Sequence, residues 1–165
     1  MSLTKQITDK KVNFEFNKEF INVFNKKIKD NDTEFLDKTL KELHPADSAD
    51  IIENLLPENR SKLIELVGFS LDPEIFIELN ESIQSDVFIL LSIESIANIL
   101  KRLESDNALK ILENLDEKKK NTVLDKLSPK DRFLLQEGLS YPEDSAARIM
   151  QREFTAIPSN WSVGQ

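Results

Sequence analysis

Carboxylates are the chemical groups this chain carries in greatest number, and they are placed unevenly. Among 165 residues there are 30 Asp and Glu against 22 Lys and Arg, a formal net charge of −8. From Leu63 to Leu100 there is no Lys or Arg, while Glu65, Asp72, Glu74, Glu78, Glu81, Asp86 and Glu94 add seven negative charges. Such a stretch is either a solvated outer face that keeps the protein soluble or a set of hard oxygen donors for divalent cations. Nucleic acid would be repelled by it. Between Lys101 and Arg132 the sign reverses, with nine basic residues, an asymmetry suited to a surface that meets a partner.

Other chemistries are short of parts. One histidine, His44, allows neither a multi-histidine metal site nor a pair of imidazole acid and base. Because it precedes Pro45, it reads as the residue that starts a helix through Leu55. There is no cysteine, hence no disulfide, thiolate site or thiol nucleophile. Glycine stands only at 68, 138 and 164, too few and too scattered for a phosphate-binding loop or a dinucleotide fingerprint. Asp30 to Glu34 imitates the start of a calcium loop, but Phe35 fills the sixth position, where Gly is needed, and Lys41 the twelfth, where Glu is needed. Asp32 or Thr33 is better read as the cap of a helix from Glu34 to Leu43. Catalysis is therefore not expected.

The elements that must position these carboxylates follow from a twelve-residue repeat. Position one is Ile51, Leu63, Ile75, Val87, Ile99, Ile111, Val123 and Leu135. Position two is Ile52, Ile64, Phe76, Phe88, Leu100, Leu112 and Leu124, then Gln136. Position five is Leu55, Val67, Leu79, Leu91, Leu103, Leu115, Leu127 and Leu139. Spacings of i, i+1 and i+4 make one narrow apolar stripe on a helix, and turn-formers and caps such as Leu56-Pro57, Leu71-Asp72-Pro73 and Ser128-Pro129 separate the copies. Helices this short are marginal alone and must stack. The expected fold is all-α, a right-handed superhelix of short stacked helices with a non-helical carboxyl-terminal tail. Leu55, Leu79, Leu91, Leu103 and Leu115 should be buried in its core. No apolar run approaches the roughly 18–20 residues that span a bilayer, and no signal peptide is apparent.

Both ends depart from the repeat. Phe20, Phe24 and Ile28 stand at successive i+4 steps of an amphipathic helix from about Val12 to Lys29, suited to capping the open end of the array. The expected divisions are a capping region at 1–30, a repeat core at 31–140, and a tail at 141–165. That tail runs Tyr141-Pro142-Glu143-Asp144-Ser145-Ala146-Ala147-Arg148-Ile149-Met150 and on to Trp161-Ser162-Val163-Gly164. It resembles the junction in MgtE-type magnesium transporters where the amino-terminal intracellular domain enters a CBS domain. Leu43-His44-Pro45-Ala46-Asp47, followed by Ala49 to Pro57, is similar to the same family's first repeat. One departure is Ala147, where the family usually has Gly; a positive φ there would strain Ala. The flagellar rotor switch protein, a pure interaction scaffold of similar short repeats, is the alternative that the tail argues against.

The resemblance implies a cytoplasmic regulatory domain on the inner side of the cell membrane, part of a homodimeric transporter. Mg2+ held between this domain and the CBS domains of the same full-length chain would draw them together and favour pore closure. It further implies Glu74 and Asp106 as the metal-facing carboxylates. The family's acidic pair is here Asp106-Asn107, and a further acid often found one turn later is Lys110. Each residue also lies in the first turn of a helix, where a carboxylate suits the backbone N–H groups without any metal. With only part of a coordination shell, Mg2+ binding by this chain alone should be weak. Ile149 to Gln165 should belong with the CBS domain rather than with the helical core.

Overall fold

A cap or a proline recurs every twelve residues at all but one of the repeats, and the chain turns there. The computed structural model describes residues 18–151, and they form helices joined by short turns, with no strand among the described residues. In order these are α1 (Lys18–Lys29), α2 (Thr33–Glu42), α3 (Pro45–Asn54), α4 (Pro57–Val67), α5 (Pro73–Glu78), α6 (Glu81–Leu90), α7 (Ile93–Leu100), α8 (Ser105–Glu113), α9 (Glu117–Asp125), α10 (Pro129–Ser140) and α11 (Ala146–Ile149). The fold is all-α and stacked, as the repeat requires. Residues 12–17 of the expected amino-terminal helix, and the tail from 152 onward with Trp161, lie outside the described residues.

The repeat is set by its caps. His44, Leu56, Asn80, Ser92, Glu104, Asp116 and Ser128 are extended residues that begin helices. Each stands seven residues before a position-one residue. Asn80, Ser92, Asp116 and Ser128 accept hydrogen bonds from the N–H groups three residues on, which satisfies a donor that the first helical turn leaves open. Pro57 and Pro129 take first helical positions, where their missing N–H costs nothing. His44 behaves as expected, with Nδ1 accepting from the Ala46 N–H at 3.3 Å, and Asp32 caps α2 by accepting from Phe35.

One repeat slips. Gly68 stands where a cap is due, but its backbone stays in the right-handed region at the end of α4. A Cβ there would meet the Ile64 carbonyl oxygen at 2.5 Å, so glycine suits the tight turn. Asp72 becomes the next cap instead, and α5 is shortened to six residues before Asn80 restores the register.

Helices pack mainly on neighbours two along the chain: α3 on α5 and α7 on α9 in one file, α4 on α6 and α8 on α10 in the other. Positions one and two supply the core between the files. All eight position-one residues are buried, as are all seven apolar residues at position two, while Gln136 is exposed. The amino-terminal helix closes one end: α1 packs on α2 and α4, with Phe24 and Ile28 fully buried and Phe20 ring-stacked on Phe24 at 6.0 Å. Leu55, Leu79, Leu91 and Leu115 are buried, whereas Leu103 is only half-buried. It lines an open recess of about 230 Å³ together with Lys101, Lys130 and Leu134, so the stripe meets solvent there. In the tail, α11 contributes one turn of helix. Ala147 lies within it and carries no positive φ, so the exchange from Gly brings no strain of that kind.

Candidate metal-facing carboxylates

All seven acids between Leu63 and Leu100 are exposed, and two of them meet basic side chains, one of these from the basic stretch that follows in sequence. Lys126 at the end of α9 reaches Glu94 at the start of α7, at 3.3 Å. The Glu94 carboxyl is held below the usual range, first by a backbone N–H of its own helix turn and then by Lys126. Arg60 of α4 stands 4.0 Å from Asp86 of α6. Each pair joins helices stacked two along the chain. The Lys126–Glu94 pair is exposed and of modest individual worth, whereas Arg60 is itself buried and meets an exposed Asp86.

Glu74 and Asp106 occupy the second helical positions of α5 and α8. Asp72 caps α5 through the Glu74 N–H at 3.1 Å, so the Glu74 carboxylate is not the cap and stands exposed at the head of the helix. Asp106 is half-buried, and its Oδ1 is shut off from solvent without a hydrogen-bond partner. Glu104, the cap residue of α8, makes no side-chain cap bond either. A buried carboxylate oxygen without a partner is costly to the folded domain. Lys110 does not supply that partner, because its Nζ turns to Asn107 Oδ1 at 3.4 Å. The two departures from the family pattern therefore satisfy one another and leave Asp106 to itself.

The structure does not gather these two acids into a complete site. Among the described residues, no three or more His, Cys, Asp or Glu side chains converge as metal ligands would. Helix α5 packs on α3, and α8 on α10, in different files of the stack. Hard oxygen donors of this type fit Mg2+, which keeps several waters and accepts one or two carboxylates from each surface it touches. The donors present fit the ion, and they are too few to enclose it.

A second set of polar residues escaped the sequence reading. Ser48, Arg60, Gln84 and Arg132 each donate to a carbonyl eight residues earlier, those of Leu40, Ile52, Phe76 and Leu124, at 2.7 to 3.0 Å. Arg60 adds bonds to the Glu53 and Leu55 carbonyls, and Arg132 one to that of Asp125. All four positions differ by multiples of twelve. Each side chain, from the first half of one helix, covers open carbonyls at the end of the preceding one. The signal was present only as hydrogen-bonding residues that recur at 48, 60, 84 and 132, in step with the twelve-residue repeat. Arg148 and Glu113 were missed as well, because nothing in their spacing marks them as partners.

Short capped helices stacked in two files define a helical-repeat domain. The chain belongs to the family of the MgtE intracellular N domain, whose model matches residues 43–144. This is not an enzyme family. The fold is similar to that of a solved structure described as the soluble part of a magnesium transporter, with a TM-score of 0.70 at 22% identity. The match covers 86% of this chain and spans 56% of that structure's length. No curated protein matches the chain. Among the described residues, no helix is long and apolar enough to cross a membrane.

Proposed function

We propose that this chain is the regulatory domain of a magnesium transporter, which senses intracellular Mg2+ by cation-bridged docking onto CBS domains of the same full-length chain and so favours pore closure. On this reading it lies on the cytoplasmic side of the inner membrane and works within a homodimer. Membership of the MgtE intracellular N domain family supports it, as does the likeness of fold to the soluble part of a magnesium transporter. The observation that carries it furthest is that family match over residues 43–144, with the Glu74 carboxylate exposed at the head of α5.

Two acidic surfaces repel while bare and attract once small cations lie between them, so ion concentration becomes a docking free energy. In this domain Glu74 and Asp106 present oxygens at helix heads, and the facing domain completes the shell. Weak binding by the domain alone is therefore part of the mechanism: a site closed within one surface would bind the ion without recruiting the other. The test is small-angle scattering on the longer protein that includes the CBS domains, with and without millimolar Mg2+. The expected result is a smaller radius and a higher melting temperature with the ion, by mass action on the docked state. An unchanged radius would overturn the proposal.

A further inference from the structure

Among the described residues of the tail, Arg148 is the one charged residue that is buried, at 8% exposure, and it sits in the four-residue helix α11. Its Nε donates to Glu113 Oε1 at the end of α8. Its Nη1 donates to the carbonyls of Gly138, at 2.9 Å, and Tyr141, at 3.4 Å, at the end of α10. The two helices so reached are stacked partners of the last file, and α10 also packs on α11. A rigid guanidinium fork is suited to holding a carboxylate and carbonyls in one geometry, as a lysine ammonium is not. The helix C-terminal carbonyls add their negative end to the attraction. Arg148 thus repeats, on the chain's way out of the array, the carbonyl capping that Arg60 and Arg132 perform inside it.

We infer that Arg148 is a positioning residue: with Glu113 it clamps residues 141–149 onto the ends of α8 and α10, so that whatever follows residue 149 is aimed by the helical array rather than tethered loosely to it. In the function proposed above, on which this last step rests, the clamp carries a change in the array's docking to the next domain without loss through a slack joint. Without it, the metal-facing carboxylates could dock while the connection absorbed the motion.

Hydrogen exchange on the 165-residue chain tests the clamp directly. Arg148→Met and Glu113→Gln should each speed exchange at residues 145–149 by about tenfold or more while leaving α3 to α7 unchanged, because local opening is governed by local contacts. Arg148→Lys keeps the charge but cannot span the carboxylate and both carbonyls, so it should exchange fast as well. Unchanged exchange at 145–149 in Arg148→Met, full protection in Arg148→Lys, or a speed-up across the whole array would each overturn the clamp. In the longer protein, Arg148→Met should reduce the Mg2+-induced compaction at an unchanged melting temperature of the array, and full compaction would overturn the coupling role. If the unmutated longer protein does not compact, the proposed function fails, while the exchange result still decides the clamp.

Discussion

Gln84 and Asn114 are joined across 30 residues of sequence: Asn114 Nδ2 donates to Gln84 Oε1 at 2.7 Å, while Gln84 Nε2 donates at 2.7 Å to the Phe76 carbonyl. One buried amide thus closes the end of α5 and ties it to the end of α8. Replacing Gln84 with Ala should destabilise the domain by about 1–3 kcal/mol, the cost of leaving buried polar groups without partners. Urea unfolding would measure it, and a loss below about 0.3 kcal/mol would show that water serves both groups equally well.

Leu63 and Leu103 occupy the same apolar stripe but unequal surroundings. Leu63 is fully buried, whereas Leu103 lines an open recess. Leu63→Ala should cost about 2–5 kcal/mol, as for a well-packed core leucine. Leu103→Ala should cost clearly less, roughly 1–2 kcal/mol, since its site is partly wet already. Equal losses in thermal or urea denaturation would mean that the recess closes in solution.

The contrast shows what the sequence could disclose. Positions one and two of the repeat identified the core residue by residue, because burial of a helical stripe depends only on spacing. Position five proved less secure at Leu103, where burial depends on what the next file of helices places opposite, and spacing does not encode that. The turn at Leu71-Asp72-Pro73 was legible from its residue types, and Asp72 does cap α5; the shortening of α5 to six residues was not, because it depends on α4 running on to Val67. Cap residues such as Asp32 and His44 were legible because their hydrogen bonds reach only two or three positions along the chain. Arg148 and Glu113, 35 residues apart, required the stack to bring them together.

Acid should weaken the turn between α1 and α2. Lys27 Nζ lies 2.6 Å from Asp32 Oδ2, and Asp32 Oδ1 accepts from the Phe35 N–H. The hydrogen bond from Lys27, then that from Phe35, holds the Asp32 carboxyl below its ordinary value. A carboxyl whose folded pKa lies below its unfolded one contributes stability that is complete above the unfolded value and is lost as pH falls through the folded one. Asp32→Asn keeps a cap of similar quality but removes the titration. Its stability should therefore fall less steeply with acid below the usual carboxylate range than that of the unmutated protein. Parallel stability profiles from pH 6 to about pH 3 would show that the pair contributes nothing to the acid limb.

Asp106 sets folding against sensing. Its Oδ1 is shielded from solvent without a hydrogen-bond partner, which disfavours the folded domain, while its place in the first turn of α8 gains from the helix dipole. Asp106→Asn removes the charge, which lowers the burial cost and gives up the dipole gain together, so the isolated domain should keep its stability within about 1 kcal/mol. Glu74→Gln, on an exposed side chain, should be neutral to folding by the same measure. In the longer protein, each substitution should shift the Mg2+ dependence of compaction to higher concentration, and the double variant should lose most of it. Titration followed by scattering and by melting temperature separates the two effects. Compaction at the same Mg2+ concentration in the double variant and the unmutated protein would remove both carboxylates from the site. It would leave the unpartnered oxygen of Asp106 as a cost of folding with no return in function.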